Sequence, residues 1–397
     1  MVTPEYLSKD ILEKNYVRSF SPFHQVEMVL GICRINIRDK FVTPPTTAQK
    51  VYTLITVISA FPITTYVVIT FYGKFYFHKD IYYLTIATTF IYYIVFCLNS
   101  IHLRFINNDS NTKFYVQLQE IDRLMKIDRH NLMYSLMYVH NIVSVCFSFG
   151  ILSLVCVYVN FWDVFMVAGF LVLFYVAASC TIAWLHCANL IKYFSLRMRF
   201  INAVLMNFLN GPLVEKGRRL NRFDVTKKDM CQMAWESHRF ETSCVDAFVT
   251  ALFDAYEAFQ NHYRFQIFLF FCNCFLNTLM IFEINILAAQ KGTYSIVDFT
   301  DLLLIMFLNV LIAIRLCVRC ELLQGEVKRT RHLCLTVLAR YHEGAIRNKA
   351  LKILNTIQHR PPTFTVYGMW YLNAHTILGL LPLITTLLVA LLQFTVL

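Results

Sequence analysis

Seven mostly apolar stretches, each at least about 20 residues long, divide the chain. They are Val51–Tyr72, Ile81–Leu103, Ser135–Val159, Trp162–Trp184, Phe265–Ala289, Val297–Val318 and Tyr367–Val396. Each is long enough to cross the ~30 Å hydrocarbon layer of a bilayer as a helix. Lipid offers backbone N–H and C=O groups no partner, so such segments must satisfy their own hydrogen bonds. The fold class that follows is an all-α membrane protein with seven transmembrane helices. Composition agrees, with 57% hydrophobic and only 15% charged residues. A soluble protein of this length would need far more charge on its surface.

The charged residues are segregated between the apolar runs, and their sides alternate. Counting loops in turn, 33 of the 36 Lys and Arg residues fall on the side of the N-terminus, and only Lys74, Lys79 and Lys291 fall opposite. Basic loops stay in the cytoplasm. The N-terminus is therefore expected inside and, after seven spans, the C-terminus outside. The sequon Asn108-Asp109-Ser110 would lie inside and stay unmodified. The net charge of +11 does not point to nucleic acid, because the basic residues sit between spans; anionic membrane lipid is the matching partner. No signal-peptide core precedes residue 51, so the first span must act as the insertion signal.

The thirteen Cys residues lie in spans or in segments assigned to the inside, where structural disulfides are not expected. Cys317 and Cys320 form a CxxC with no second ligand pair, which reads as packing thiols and not as a metal site. No metal or other cofactor is expected. The outside loops are very short; Asn160 and Phe161 nearly complete one of them. The inside segments are long and read as helices. Leu185–Asn210 and Asp246–Arg264 extend the fourth and fifth spans, Glu321–Gln358 follows the sixth, and Gly211–Pro212 marks a break. The organisation is thus a cytoplasmic segment 1–50, a six-span bundle with cytoplasmic extensions 51–318, anchor helices 319–366 and a last helix 367–397.

Seven spans suggest a G-protein-coupled receptor, but the orientation is reversed. Asp128-Arg129-His130 resembles a DRY triplet, yet it precedes the third span, and the last span has no NPxxY. A transporter would show repeated halves with broken helices in matching positions; here the last helix is interrupted by Pro382 and is assigned no matching partner. A G-protein-coupled-type receptor and a transporter remain the alternatives. No P-loop, HExxH, GxSxG or metal cluster is present, so the chain is not read as an enzyme.

The last apolar helix ends Thr385-Thr386-Leu387-Leu388-Val389-Ala390-Leu391-Leu392-Gln393-Phe394. An amide facing lipid there would be costly. Gln393 either reaches the interface or lines a water-filled pore, and local chemistry does not choose between them. This segment resembles the C-terminal signature of insect gustatory receptors: Thr-Tyr, five apolar residues, then Gln-Phe. Leu387 replaces the Tyr. Phe364-Thr365-Val366-Tyr367-Gly368 and Leu372-Asn373 resemble the approach to the last helix in that family, which is related to the odorant receptors.

The resemblance implies a ligand-gated, non-selective cation channel for small tastants, without a G protein. It would be a homotetramer, or a heteromer with related subunits, in the plasma membrane of a sensory neuron. Sugar-sensing members tend to carry an acidic residue where this chain has Leu388, which favours a bitter or other plant compound. The last helix would line a central pore. Its face of Thr386, Leu387, Ala390, Gln393 and Phe394 would form the gate, with Pro382 as a hinge. The first six spans would enclose a pocket open to the outside. Reading by depth, its candidates are Thr89 and Tyr92, Tyr158, then Trp162, Phe165 and Phe170, then Phe282 and Glu283, then Asp301 and Met306. Tyr82, Thr85, Met166 and Phe299 lie at similar depth. Aromatic walls with a few polar groups suit a small ligand. Glu283 is either such a group or a carboxylate at headgroup level or paired with Lys291.

Overall fold

The computed structural model describes residues 11–38, 40–72, 79–106, 108–124, 127, 131–157, 164–210, 244–291 and 300–396. Among these, ten helices carry the fold. They are α1 (Lys14–Val29), α2 (Thr47–Tyr72), α3 (Lys79–Phe105), α4 (Asn108–Leu124), α5 (Asn131–Val157), α6 (Val164–Asn210), α7 (Val245–Lys291), α8 (Thr300–Arg340), α9 (Ala345–His359) and α10 (Ala374–Val396). The helices α2, α3, α5, α6, α7 and α8 are long and apolar enough to cross a membrane. Helix α10, 23 residues long, supplies a further apolar helix.

Helices α6 and α7 each run 47 residues and α8 runs 41. At 1.5 Å per residue a helix of that length spans roughly 60–70 Å, twice the hydrocarbon layer. The apolar run and the charged run that follows it are therefore one continuous helix. This matches the expected extensions Leu185–Asn210 and Asp246–Arg264. Glu321–Gln358 is interrupted instead: α8 stops at Arg340, Gly344 takes φ +111°, and α9 begins at Ala345.

Two small hairpins depart from a purely helical chain. Strands β1 (Asn36–Arg38) and β2 (Phe41–Thr43) pair antiparallel, as do β3 (Thr365–Val366) and β4 (Trp370–Tyr371). The second hairpin corrects the expected start of the last helix at Tyr367. Tyr367 and Gly368 both adopt positive φ, at 51° and 71°, which no helix tolerates. The helix starts seven residues later, where Asn373 caps it. The Oδ1 of Asn373 accepts from the Thr376 N–H at 3.0 Å, and the Thr376 hydroxyl lies 3.4 Å from the Asn373 N–H.

Helix α6 is the axis of the bundle. Its apolar stretch is 72% buried, against 33% for α2, α3 and α5, whose remaining faces are left for lipid. It packs along α8 most extensively, and also meets α5, α2 and α3. Helix α2 approaches it closely at Gly169, where an added Cβ would sit 1.8 Å from Val67 Cγ2. Amphipathic α1 turns Tyr16, Phe20, Phe23 and Glu27 inward, a 3–4 residue spacing that lays one stripe against α5 and α6. Gly31, at φ +67°, ends it: the N–H of Ile32 reaches Glu27 O at 2.9 Å and that of Gly31 reaches Met28 O at 3.2 Å.

Candidate functional site

Two hydrophobic clusters divide the interior. The larger runs from α1 and α4 through α6 to the end of α8 and α9. The smaller gathers Val68, Ile81, Ile281, Ile284, Ala288 and Leu302 at the opposite end of α2, α3, α7 and α8. Tyr82 and Met306 pack against this second cluster. A layer of polar side chains lies nearer the middle of the same helices. Tyr92 of α3 donates its hydroxyl to Asn309 Oδ1 of α8 at 3.4 Å. Thr181 of α6 and Cys274 of α7 lie beside that tyrosine, which is thus a meeting point of four helices. Thr88, one turn away, sits 3.6 Å from Met280 Sδ. Asn277 donates to Asn273 Oδ1 at 2.6 Å along α7, and both are buried.

Several of these groups have no hydrogen-bond partner among the described residues: Asn273 Nδ2, Asn277 Oδ1, Asn309 Nδ2 and Thr181 Oγ1. A buried polar atom without a partner costs about 1–3 kcal/mol, so such groups are where a polar ligand atom gains most.

Of the residues singled out by sequence, Tyr92 belongs to this polar layer and Met306 to the apolar cluster above it. Thr89 is half-buried and donates to its own helix at Thr85 O, 3.1 Å away. The cluster takes Ile281 and Ile284 from α7, while Phe282 and Glu283 are half-buried beside it. Tyr158, Trp162 and Phe299 lie outside the described residues, as do the side chains of Phe165, Met166, Phe170, Lys291, Asp301 and Phe394. Sequence reasoning missed Thr181, Asn273, Asn277 and Asn309. A signal was present: Asn273 and Asn277 are spaced by four in an apolar helix, where an amide facing lipid would be costly.

Helix α10 packs mainly on α7 and α8. Beyond His375 in its first turn its sequence is apolar except for Thr and Gln, and Pro382 removes one backbone donor in its middle. The Thr386 hydroxyl donates to the Pro382 carbonyl at 2.8 Å, one turn back. Thr386, Val389 and Gln393 are exposed, whereas Leu387 and Ala390 are half-buried. The exposed positions recur every three or four residues and so form one face.

A family profile described as 7tm chemosensory receptor matches residues 20–397. The chain belongs to the 7tm chemosensory receptor family. No curated protein sequence matches it. Its fold is similar to the insect olfactory receptor OR5 from Machilis hrabei in complex with eugenol, with a TM-score of 0.60 and 14% identity over 96% of this chain and 100% of that one. A second structure of OR5 from Machilis hrabei gives a TM-score of 0.58 at the same identity and coverage. At that identity the likeness establishes the fold.

Proposed function

We propose that this chemosensory receptor is a ligand-gated cation channel of gustatory type, opened by a small organic compound and not by a sugar. The observation that carries the reading is the exposed face of α10. In a helix this apolar, a row that exposes the Gln393 amide among the described residues calls for a polar environment. Four copies arranged around an axis would supply one, with α10 lining a water-filled path. The neighbour solved with eugenol supports a small-molecule ligand. The polar layer around Tyr92 and Asn309 would orient that ligand, and the aromatic and aliphatic cluster toward Met306 would take its apolar part. The proposed orientation, with α1 in the cytoplasm and the end of α10 outside, rests on the distribution of Lys and Arg.

Expression of the chain in a heterologous cell, followed by a compound screen, tests the reading. Agonist should evoke cation current that survives G-protein block. Current abolished by that block would favour a G-protein-coupled receptor instead. Tags on intact cells should be accessible at the C-terminus and hidden at the N-terminus.

A further inference from the structure

Arg315, in the middle of α8, is only half exposed, and its Nη2 points into the bundle. That nitrogen lies 2.5 Å from Ser144 Oγ, 2.8 Å from Asn189 Oδ1 and 2.9 Å from His140 Nε2. One turn further along α8, Arg319 Nη2 lies 3.3 Å from the same imidazole nitrogen. One turn along α6 from Asn189 stands Lys192, also half-buried. Three helices thus contribute two layers: Ser144, Asn189 and Arg315, then His140, Lys192 and Arg319.

This cluster is short of negative charge. The charges that bear on Lys192 are those of Arg319, Arg315 and Arg199. Among the described residues no carboxylate forms an ion pair with Lys192, Arg315 or Arg319. Glu326 of α8 is engaged by Arg199 at 2.6 Å and by Asn202 at 3.0 Å. The Nε of Arg315 is buried and has no hydrogen-bond partner among the described residues. Three cations held together at partial burial repel one another unless an anion joins them.

The surroundings indicate where that anion comes from. Contacts run from Ser144 to His140 as they run from Arg315 to Arg319, so α5 and α8 are antiparallel. Val139, Val143 and Phe147 precede the polar stripe of α5 by one position and are 52–58% exposed. Ile314 and Val318 precede that of α8 by one position and are 40% and 43% exposed. In antiparallel helices a one-residue offset turns both apolar stripes to the same side. The basic cluster therefore lies in a crevice whose two rims are apolar, matching a charged headgroup joined to acyl chains and not a free ion.

We propose that the crevice between α5 and α8 binds the phosphate headgroup of an anionic lipid, with Lys192, Arg315 and Arg319 holding the phosphate and the apolar stripes holding the chains. The site does not depend on the channel reading; only its placement in the inner leaflet rests on the proposed orientation.

The test uses the purified full-length chain in phosphatidylcholine nanodiscs, titrated with a fluorescent phosphatidylinositol bisphosphate. The parent should bind this lipid in preference to fluorescent phosphatidylcholine. The Lys192→Gln, Arg319→Gln pair should weaken binding roughly thirtyfold, as expected for two basic contacts near a membrane surface, and Lys192→Arg should retain it. Lys192→Gln alone removes no hydrogen bond seen in the structure, so it decides the question if the pair fails to fold. No preference in the parent, or equal affinity in parent and variants, would overturn the site. Inorganic phosphate that competes at the same concentration as the lipid would overturn the lipid assignment. Because the readout is binding, a chain that never conducts still answers the question.

Discussion

Arg197 and Asp122, 75 residues apart in sequence, form an ion pair that is wholly removed from solvent. Arg197 Nη2 reaches Asp122 Oδ2 at 2.7 Å and Nε reaches Oδ1 at 3.0 Å, with both side chains 0% exposed. The hydroxyls of Tyr134 and Tyr193 donate to the same carboxylate at 2.9 and 3.1 Å, and the guanidinium lies 3.6 Å from the centroid of the Tyr193 ring. The pair ties α4 to α6 near the charged end of the bundle. Removing one partner strands a buried charge at a cost of about 3–5 kcal/mol, whereas replacing both with apolar residues of similar size costs far less. Asp122→Ala should therefore lower thermal stability in detergent and reduce surface expression sharply, and Asp122→Leu with Arg197→Met should recover much of both. Equal losses in the single and double variants would contradict this account.

Gly169 lets α2 and α6 meet. A methyl group there would overlap Val67, a side chain on α2 with 0% exposure. Gly169→Ala should destabilise by about 1–3 kcal/mol, the usual cost of overpacking, and Val67→Ala in the same chain should relieve it. Melting curves of the three variants give the comparison.

Burial holds the His24 imidazole below its ordinary value, partly offset by the nearby charge of Glu27. Its Nδ1 lies 3.1 Å from Cys33 Sγ, which burial keeps as a thiol. A histidine with a depressed folded pKa favours folding while it is neutral. That contribution is complete above about pH 6.5, where the unfolded residue is also neutral, and is lost as pH falls through the folded value. Melting temperature should thus decline on acidification below that point, and His24→Gln should flatten the decline. An identical pH profile in parent and variant would refute the assignment to His24.

Tyr92 joins α3 to α8 through Asn309. On the proposed pocket, the Tyr92 oxygen also accepts one neutral hydrogen bond from the ligand, which Tyr92→Phe removes at a loss of about 0.5–1.5 kcal/mol of binding. The half-maximal agonist concentration should rise about two- to tenfold, with maximal current and surface level unchanged. A variant whose dose response overlays that of the parent would place the ligand elsewhere.

The gate proposed on α10 makes two separable demands. Phe394→Ala should raise basal current by widening an apolar constriction that closes through dewetting. Gln393→Ala should alter conductance or ion preference without opening the resting channel. If both variants reach the surface and gate like the parent, the pore is not formed by this face.

The sequence by itself determined the long apolar helices, but not α1 or α4, which lie in the polar segments between spans. Lipid forces each span to satisfy its backbone alone, so a local run of apolar residues is enough to mark it. The same locality let Leu185–Asn210 and Asp246–Arg264 be recognised as continuing helices. It failed at Tyr367, where apolar and aromatic residues mimic a span but positive φ at Tyr367 and Gly368 makes a hairpin. Only the tertiary structure decided which polar residues meet. Tyr92 and Asn309 are 217 positions apart, and His140 and Arg315 are 175 apart. Their pairing depends on how each helix is rotated about its axis when it packs. That rotation is set by the interlocking of side chains from several helices at once, as at Gly169 against Val67, and no single segment contains it.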